Sequence, residues 1–333
     1  MMLTVSLVNT NNGKILKDCL KSIYENKPEC EFEVFVVDNG STDCSQEMIK
    51  AEFPQVQLRE NHRNCGFPFS NNRAFKESKG KYFLLLNDDT IVPPGAFDKM
   101  VEFMESHPDC GISGVKLVFP DGSVQSCKFS FPTLLKEFFH INVLVKRLLA
   151  RSRKLMWFIR RIYYSLFSQD ASVNQLLDYD SVHEVDDVLG ACFLVRRKVF
   201  DDIGLFDETY FTCRDETDFA YRAKQKGWKI YYNPDVTIVH LGGATVSRLN
   251  VTYFCQDKIS ANYFFGKYYP KPKCLLLKII YLEGFLVSML FESLRAIIFV
   301  FSPSRRREAL GNLGLYIETI PKILFDRTET AIK

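Results

Sequence analysis

The sequence predicts an α/β fold in which a mostly parallel central sheet is flanked by helices. Three observations carry that prediction. Apolar runs of strand length alternate with stretches of helical periodicity, several of those runs end abruptly on acids or amides, and Asn/Gly-rich loops separate them. A strand covered on both faces reads as continuous apolar sequence, and ligands in open α/β sheets sit beyond the carboxyl ends of such strands. The 333 residues, 47% apolar and 25% charged, suffice for one large α/β domain with an appendage or for two domains.

Val5 to Val8 reads as the first strand, and Asn9 to Gly13 as a polar loop that can cap a helix. Ile15, Leu16, Cys19, Leu20 and Ile23 follow at helical spacing. Phe32 to Val37 is a second strand ending in Asp38, and Asn39 to Asp43 turns the chain into a second helix. Val56 to Leu58 is a weak third strand, 61–68 a loop and 71–78 a short helix. Tyr82 to Leu86 is the fourth strand, a fully apolar run that breaks into Asn87-Asp88-Asp89-Thr90. Two adjacent acids at a strand end suit a divalent cation held through oxygen. The same four residues are also good turn chemistry, and on their own the two readings weigh evenly.

A helix over 97–106 follows Pro93-Pro94-Gly95, and 185–195 reads as strand and turn around Gly190-Ala191. A helix from Arg196 closes at Gly204, and another opens at Arg214-Asp215-Glu216-Thr217-Asp218. Three acids in four residues exceed what capping and the helix dipole require. Gly227 ends that helix, 228–232 and 236–239 are short strands, and His240 stands on a strand end before Gly242-Gly243.

No G-x-G-x-x-G or G-x-x-x-x-G-K-[ST] is present, so any phosphate here is neutralised by something other than a glycine cradle. The ten cysteines have no metal-ligand spacing, which favours reduced thiols in the cytosol. The N-terminus has no secretory leader pattern, and the expectation is a protein that is not secreted. A net charge of +3 does not imply nucleic acid, and no nucleic-acid-reading pattern occurs.

Charge placement says more. Between 128 and 161, basic residues such as Lys136, Lys146, Arg147, Arg160 and Arg161 interleave with Phe138, Phe139, Trp157 and Phe158, and Glu137 is the lone acid. That pattern fits a helix lying on anionic headgroups; a solvated helix packed on the domain is the alternative. Leu275 to Phe301 is the most apolar stretch, broken by Lys278, Glu283, Glu292 and Arg295 and followed by Arg305-Arg306-Arg307. It reads as an in-plane helix or helix pair rather than a span, with core packing as the alternative.

These motifs together resemble the family 2 glycosyltransferases, of GT-A fold with a Rossmann-like sheet, and most closely the bacterial rhamnosyltransferase-like members. The resemblance covers roughly Val5 to Tyr263. It rests on Asp38 to Asp43, Asn64-x-Gly66-Phe67 with Asn71-Asn72, Leu86 to Thr90, Gly190-Ala191, Val195 to Arg197, Phe206 to Glu208 and Gly227-Trp228, all in family order. It implies a GT-A domain over 1–265, with a helical insert at about 128–180, and a membrane-associated helical region over 266–333.

It further implies a nucleotide-sugar site at Thr10, Asn12, Asp38, Asn64, Gly66, Asn72, Asn87 and Asp88, with Asn87 in the first position of a D-x-D-type element. An acceptor side at Gly190, Ala191 and Trp228 follows, as do Asp89 and His240 as ligands of Mg²⁺ or Mn²⁺. The general base maps to Glu216, with Asp215 as the other candidate, because the usual Glu-Asp order is reversed here. Asn11 stands where the family commonly has tyrosine.

The implied activity is inverting transfer from dTDP-rhamnose or a UDP-hexose to a saccharide acceptor, lipid-linked, in cell-surface polysaccharide assembly. The implied location is cytoplasmic, peripheral on the inner face of the membrane. A nucleotidyltransferase is the rival enzyme class, but it would want a basic phosphate-gripping loop, and Asn9 to Gly13 has no Lys or Arg. An inactive, membrane-attached sugar-binding scaffold is the non-enzymatic alternative.

Overall fold

The computed structural model describes residues 2–141, 178–242 and 250–328. Most of the basic insert, including Lys146 to Arg161, lies outside them. The described residues form two compact units. One holds 2–131, 178–211 and 215–242, and the other holds 132–141, 212–214 and 250–328. The boundary expected at 265/266 falls inside a helix that belongs wholly to the second unit.

The first unit opens with β1 (Leu3–Asn9), α1 (Gly13–Glu25), β2 (Phe32–Asn39), α2 (Ser45–Glu52), β3 (Gln57–Asn61), α3 (Phe67–Glu77) and β4 (Tyr82–Leu86). The short β5 (Thr90–Ile91), α4 (Ala96–Ser106), β6 (Cys110–Val118) and β7 (Lys128–Phe129) follow. Among the described residues the main sheet runs β3-β2-β1-β4, then β10 (Cys192–Arg196), β6, β11 (Lys229–His240) and β5. β1 to β4, β6 and β11 point one way, whereas β10 is antiparallel to both neighbours and β5 is antiparallel to β11. This is the mostly parallel α/β sheet that the apolar runs predict.

The same alternation explains the packing. Leu16, Cys19, Leu20 and Ile23 of α1 are buried at the predicted spacing, and all five residues of β4 are buried. Two remaining strands, β8 (His183–Glu184) and β9 (Asp187–Val188), pair with β11 and β7, and α6 (Arg197–Ile203) and α7 (Asp215–Gln225) complete the unit. Phe75, Phe83, Phe200, Phe206 and Phe219 form one aromatic cluster under the sheet, with Phe75 and Phe200 stacked at 3.8 Å.

Three elements differ from expectation. β6 is hidden in sequence by Gly111 and Gly114, two apparent breakers. A Cβ at Gly114 would sit 2.5 Å from the Val188 side chain, so glycine here permits close packing. α3 starts at Phe67 rather than 71, because Gly66 (φ +89°) delivers the chain into a helix with Pro68 in its first turn. The two strands expected at 228–239 are one strand, β11, with a register irregularity between Asn233 and Thr237.

The second unit contains α5 (Leu134–Ile141), α8 (Asn250–Tyr268), α9 (Lys271–Ile298) and α10 (Pro303–Leu324). Its centre is ionic. Glu137 accepts from Arg214 (3.0 Å), Lys258 (2.9 Å) and Tyr281 (2.7 Å), and Arg214 also pairs with Asp257 at 2.7 Å. The lone acid of the basic stretch is therefore a buried node, and the described first turns of the insert pack into the fold. Lys128, at the start of that stretch, is likewise buried in the first unit, over the rings of Tyr179 and Tyr232.

Candidate active site

β4 ends at Leu86, and the Thr90 hydroxyl closes the next turn by donating to the Asn87 carbonyl at 2.8 Å. β5 then pairs with the end of β11, Thr90 opposite His240, and the Leu241 amide donates to the Asp89 carbonyl at 2.9 Å. This register sets Asp89 Oδ1 3.1 Å from His240 Nε2, with the Asn87 amide nitrogen 3.4 Å from the same atom.

Gln125 fixes the other side of the imidazole. Its Nε2 donates to the His240 carbonyl at 2.5 Å, and its Oε1 lies 2.8 Å from Nδ1. A backbone carbonyl only accepts, so the amide nitrogen must face it and Oε1 must face Nδ1. Nδ1 is therefore the donor in the neutral ring, and the Nε2 lone pair faces Asp89. Gln125, 115 residues away in sequence, has no sequence signal that announces this role.

Asp88 turns the other way and accepts from Asn12 at the start of α1 (3.3 Å). Burial, and then the adjacent Asp89 charge, push its carboxyl up to about 7. Across the edge, the Asn87 amide donates to the Ala191 carbonyl at 3.0 Å. A Cβ on Gly190 would lie 3.6 Å from Glu216 Oε1. The Gly190-Ala191 turn thus joins Asn87 to Glu216.

The acids of α7 divide into three tasks. Asp218 is fully buried and paired with Arg222 (2.8 Å), whose guanidinium also caps the Ile203 and Leu205 carbonyls. Asp215 is buried beside Glu216; burial first, then the Glu216 charge, hold its carboxyl well above the ordinary range. Glu216 is only half-buried.

The nucleotide-side residues are more mixed. Asp38 is fully buried, and its oxygens accept from Asn9 Nδ2 (2.7 Å), the Ser41 amide (2.9 Å) and Gln46 Nε2 (2.7 Å). These bonds brace the loop from beneath. Asn11 and Asp43 tie the 10–13 and 41–43 loops together, through the Thr42 and Gly13 amides. Thr10 is half-buried on the first of these loops, and Asn64 Oδ1 accepts from the Gly66 amide (3.0 Å).

Two further candidates are engaged elsewhere in the fold. Asn72 is buried and its amide is spent on Phe206 (N–H and C=O) and Glu208, so it staples α3 to that loop. Trp228 precedes β11 and packs beside Gly111 near the start of β6, whereas His240 ends β11. The length of that strand separates Trp228 from the other candidates.

Asp89 Oδ1 and the His240 lone pair, two acceptors 3.1 Å apart, suit a divalent cation of the oxygen- and imidazole-binding kind. Among the described residues a second cluster, Glu137, His140 and Asp257, has ligand atoms close enough for a metal. Arg214 and Lys258 already neutralise it, so it is an ion-pair network.

A mostly parallel sheet with an acid–imidazole pair at its carboxyl edge has GT-A architecture. It superposes on the mannosyltransferase PcManGT from Pyrobaculum calidifontis, solved with GDP-Man and Mn²⁺, with a TM-score of 0.55 at 16% identity over 98% of this chain and 87% of that one. Residues 4–167, just under half of the chain, match the profile described as glycosyl transferase family 2, so the chain carries a domain of that family.

Its relatives are rhamnosyltransferase-like. The N-acetylglucosaminyl-diphospho-decaprenol L-rhamnosyltransferase of Mycobacterium tuberculosis is 26% identical over 218 residues, 62% of this chain and 66% of that protein. The O-antigen biosynthesis protein RfbC of Myxococcus xanthus is 24% identical over 230 residues, 68% of this chain. The chain spans just under two thirds of the mycobacterial relative's length and 16% of the Myxococcus protein's.

Proposed function

We propose that this chain is an inverting glycosyltransferase of cell-surface polysaccharide assembly. It moves a sugar from a nucleoside-diphosphate donor, dTDP-rhamnose or a UDP-hexose, to a hydroxyl of a saccharide acceptor that is lipid-linked at the cytoplasmic membrane face. One observation carries the reading: Asp89, His240 and Asn87 converge at the carboxyl edge of the sheet, and the Gly190-Ala191 turn links them to a half-buried Glu216.

Asp89 and His240 Nε2 would hold Mg²⁺ or Mn²⁺, which when bound neutralises charge on the departing diphosphate, an effect worth several kcal/mol. Thr10, Asn12 and Asn64 border the loops offered to base and ribose, and Asp38 keeps the first of those loops in place. Glu216 takes the acceptor hydroxyl proton as that oxygen bonds to the anomeric carbon and the bond to the diphosphate oxygen breaks. Asp215, buried beside Glu216 with its carboxyl held well above the ordinary range, keeps a second anion from competing with the base. A single displacement with no covalent sugar–enzyme intermediate inverts configuration.

The experiment is nucleoside diphosphate release from a panel of nucleotide-sugars with Mn²⁺ or Mg²⁺, with product configuration read by NMR. Glu216→Gln is expected to lower kcat by about 10²–10⁴ while leaving donor binding in place. Asp89→Ala is expected to lose turnover and Mn²⁺ response together. Full turnover in both variants, or release with no donor, would overturn the proposal.

A further inference from the structure

The helical unit carries a face that no glycosyl transfer step uses. α9 is 28 residues, about 42 Å long, and is apolar on both sides. One side buries Leu277, Tyr281, Gly284 and Phe285, where Gly284 lets α5 approach so closely that a Cβ would lie 2.5 Å from Ile141. The opposite side exposes Leu275, Ile279, Leu286, Leu290, Leu294 and Ile297, a helical stripe interrupted by exposed Glu283, with Leu290 at 63% and Ile297 at 70%. A ridge of this length left in water marks an interaction surface.

Charge identifies the partner. Residues 250–328 hold eleven Lys and Arg against six Asp and Glu. At the start of the stripe is a cavity of about 510 Å³ whose walls include Lys267, Lys271, Lys278 and Arg327, with Asp326 the one acid, alongside Leu275. Exposed Arg305, Arg306 and Arg307 lie beyond the far end.

The hairpin register determines how the stripe meets a bilayer. Lys278 bonds to the Leu324 carbonyl, Phe285 packs on Tyr316 and Arg295 reaches Glu308, so α10 runs antiparallel along α9. Were α9 to span, Glu318 and Lys322 of α10 would be drawn into hydrocarbon beside it, at high cost.

We propose that this hairpin lies in the plane of a membrane, with the α9 stripe in the acyl boundary and the basic cavity holding the phosphate of an anionic lipid headgroup. The inference goes beyond the transfer reading and does not depend on it.

The test is co-sedimentation of the full chain with vesicles of phosphatidylcholine alone or with about one third phosphatidylglycerol, with turnover on a soluble acceptor measured in parallel. The wild type is expected to pellet with the anionic vesicles and only weakly with the neutral ones. Leu290→Asp/Ile297→Asp, at exposed positions, should abolish pelleting with both. Lys267→Gln/Lys271→Gln should lower anionic binding about 25-fold, at roughly fivefold for each cation removed, and leave the weak neutral binding in place. Unchanged turnover in these variants would keep the two proposals separate.

No pelleting by the wild type would overturn the inference. So would a dimer in solution that Leu290→Asp dissolves, since a second copy would then cover the stripe. Calorimetric binding of inorganic phosphate with no preference for anionic vesicles would also overturn it, because the cavity would then serve free phosphate.

Discussion

Replacing Gln125 by Ala tests the metal-site geometry most directly. Gln125 and His240 are both buried, and the amide makes two bonds to the histidine: 2.5 Å to its carbonyl and 2.8 Å at Nδ1. Truncation leaves a buried carbonyl and a buried N–H without that partner, at about 1–3 kcal/mol each, or roughly 2–6 kcal/mol of stability. It also frees the ring to exchange tautomers, so Nε2 no longer reliably presents a lone pair beside Asp89. Loss of such an outer partner typically weakens metal affinity about 10–100-fold. Gln125→Glu keeps an acceptor for Nδ1–H but loses donation to the carbonyl, so it should melt early yet retain most of the affinity. The assay is Mn²⁺ titration followed by electron paramagnetic resonance, with thermal melts alongside and ¹⁵N NMR of the imidazole. A folded Gln125→Ala protein with unchanged Mn²⁺ affinity would refute the reasoning, as would a wild-type ring protonated at Nε2 alone.

Three further outcomes follow from buried charge. Asp215 has a folded pKa held well above the ordinary range, first by burial and then by Glu216. The stability it contributes is therefore complete below its unfolded value, near pH 4, and is lost as pH rises towards the folded value. Asp215→Asn, which removes the titrating carboxyl, should gain on the wild type with rising pH by up to about 1.4 kcal/mol per unit; denaturant melts at pH 4, 6 and 8 check this, and a pH-independent difference would contradict it. In the helical unit, burial raises Glu137 and Asp257, but the charges of Lys258 and Arg214 outweigh it and hold both carboxyls below the ordinary range. Their stabilisation is present above the unfolded values and is lost as pH falls below about 4, so acid should loosen this unit. Glu137→Ala removes one of the two carboxylates that pair with the fully buried Lys258 at 2.9 Å, Asp257 being the other, and should cost about 1.5–3 kcal/mol for the lost charge-assisted bond, read as a lowered midpoint in urea.

Strand ends were legible because a buried parallel strand must stop where polar atoms begin, and Leu86-Asn87-Asp88-Asp89 shows that change in four letters. Which strand ends meet was not legible from periodicity. Asp89 and His240 are brought together by a two-residue strand, β5, pairing with the end of β11, and no pattern in either segment specifies the other. Gln125 lay in a turn-rich segment after a strand whose own glycines disguised it. Asp38 and Asn72 were legible as polar residues at this edge, but the bonds that hold them were not. Residue type shows that a side chain can bond, and only packing shows that its bonds are already taken.

The base was the opposite case. Sequence left Asp215 and Glu216 open, since both are carboxylates at one helix start. Burial separates them: Asp215 is withdrawn from water with its carboxyl held well above the ordinary range, whereas Glu216 is half-buried. On the proposed reading, a base must reach the acceptor hydroxyl, so the reversed acid order puts Asp215 behind and Glu216 in front.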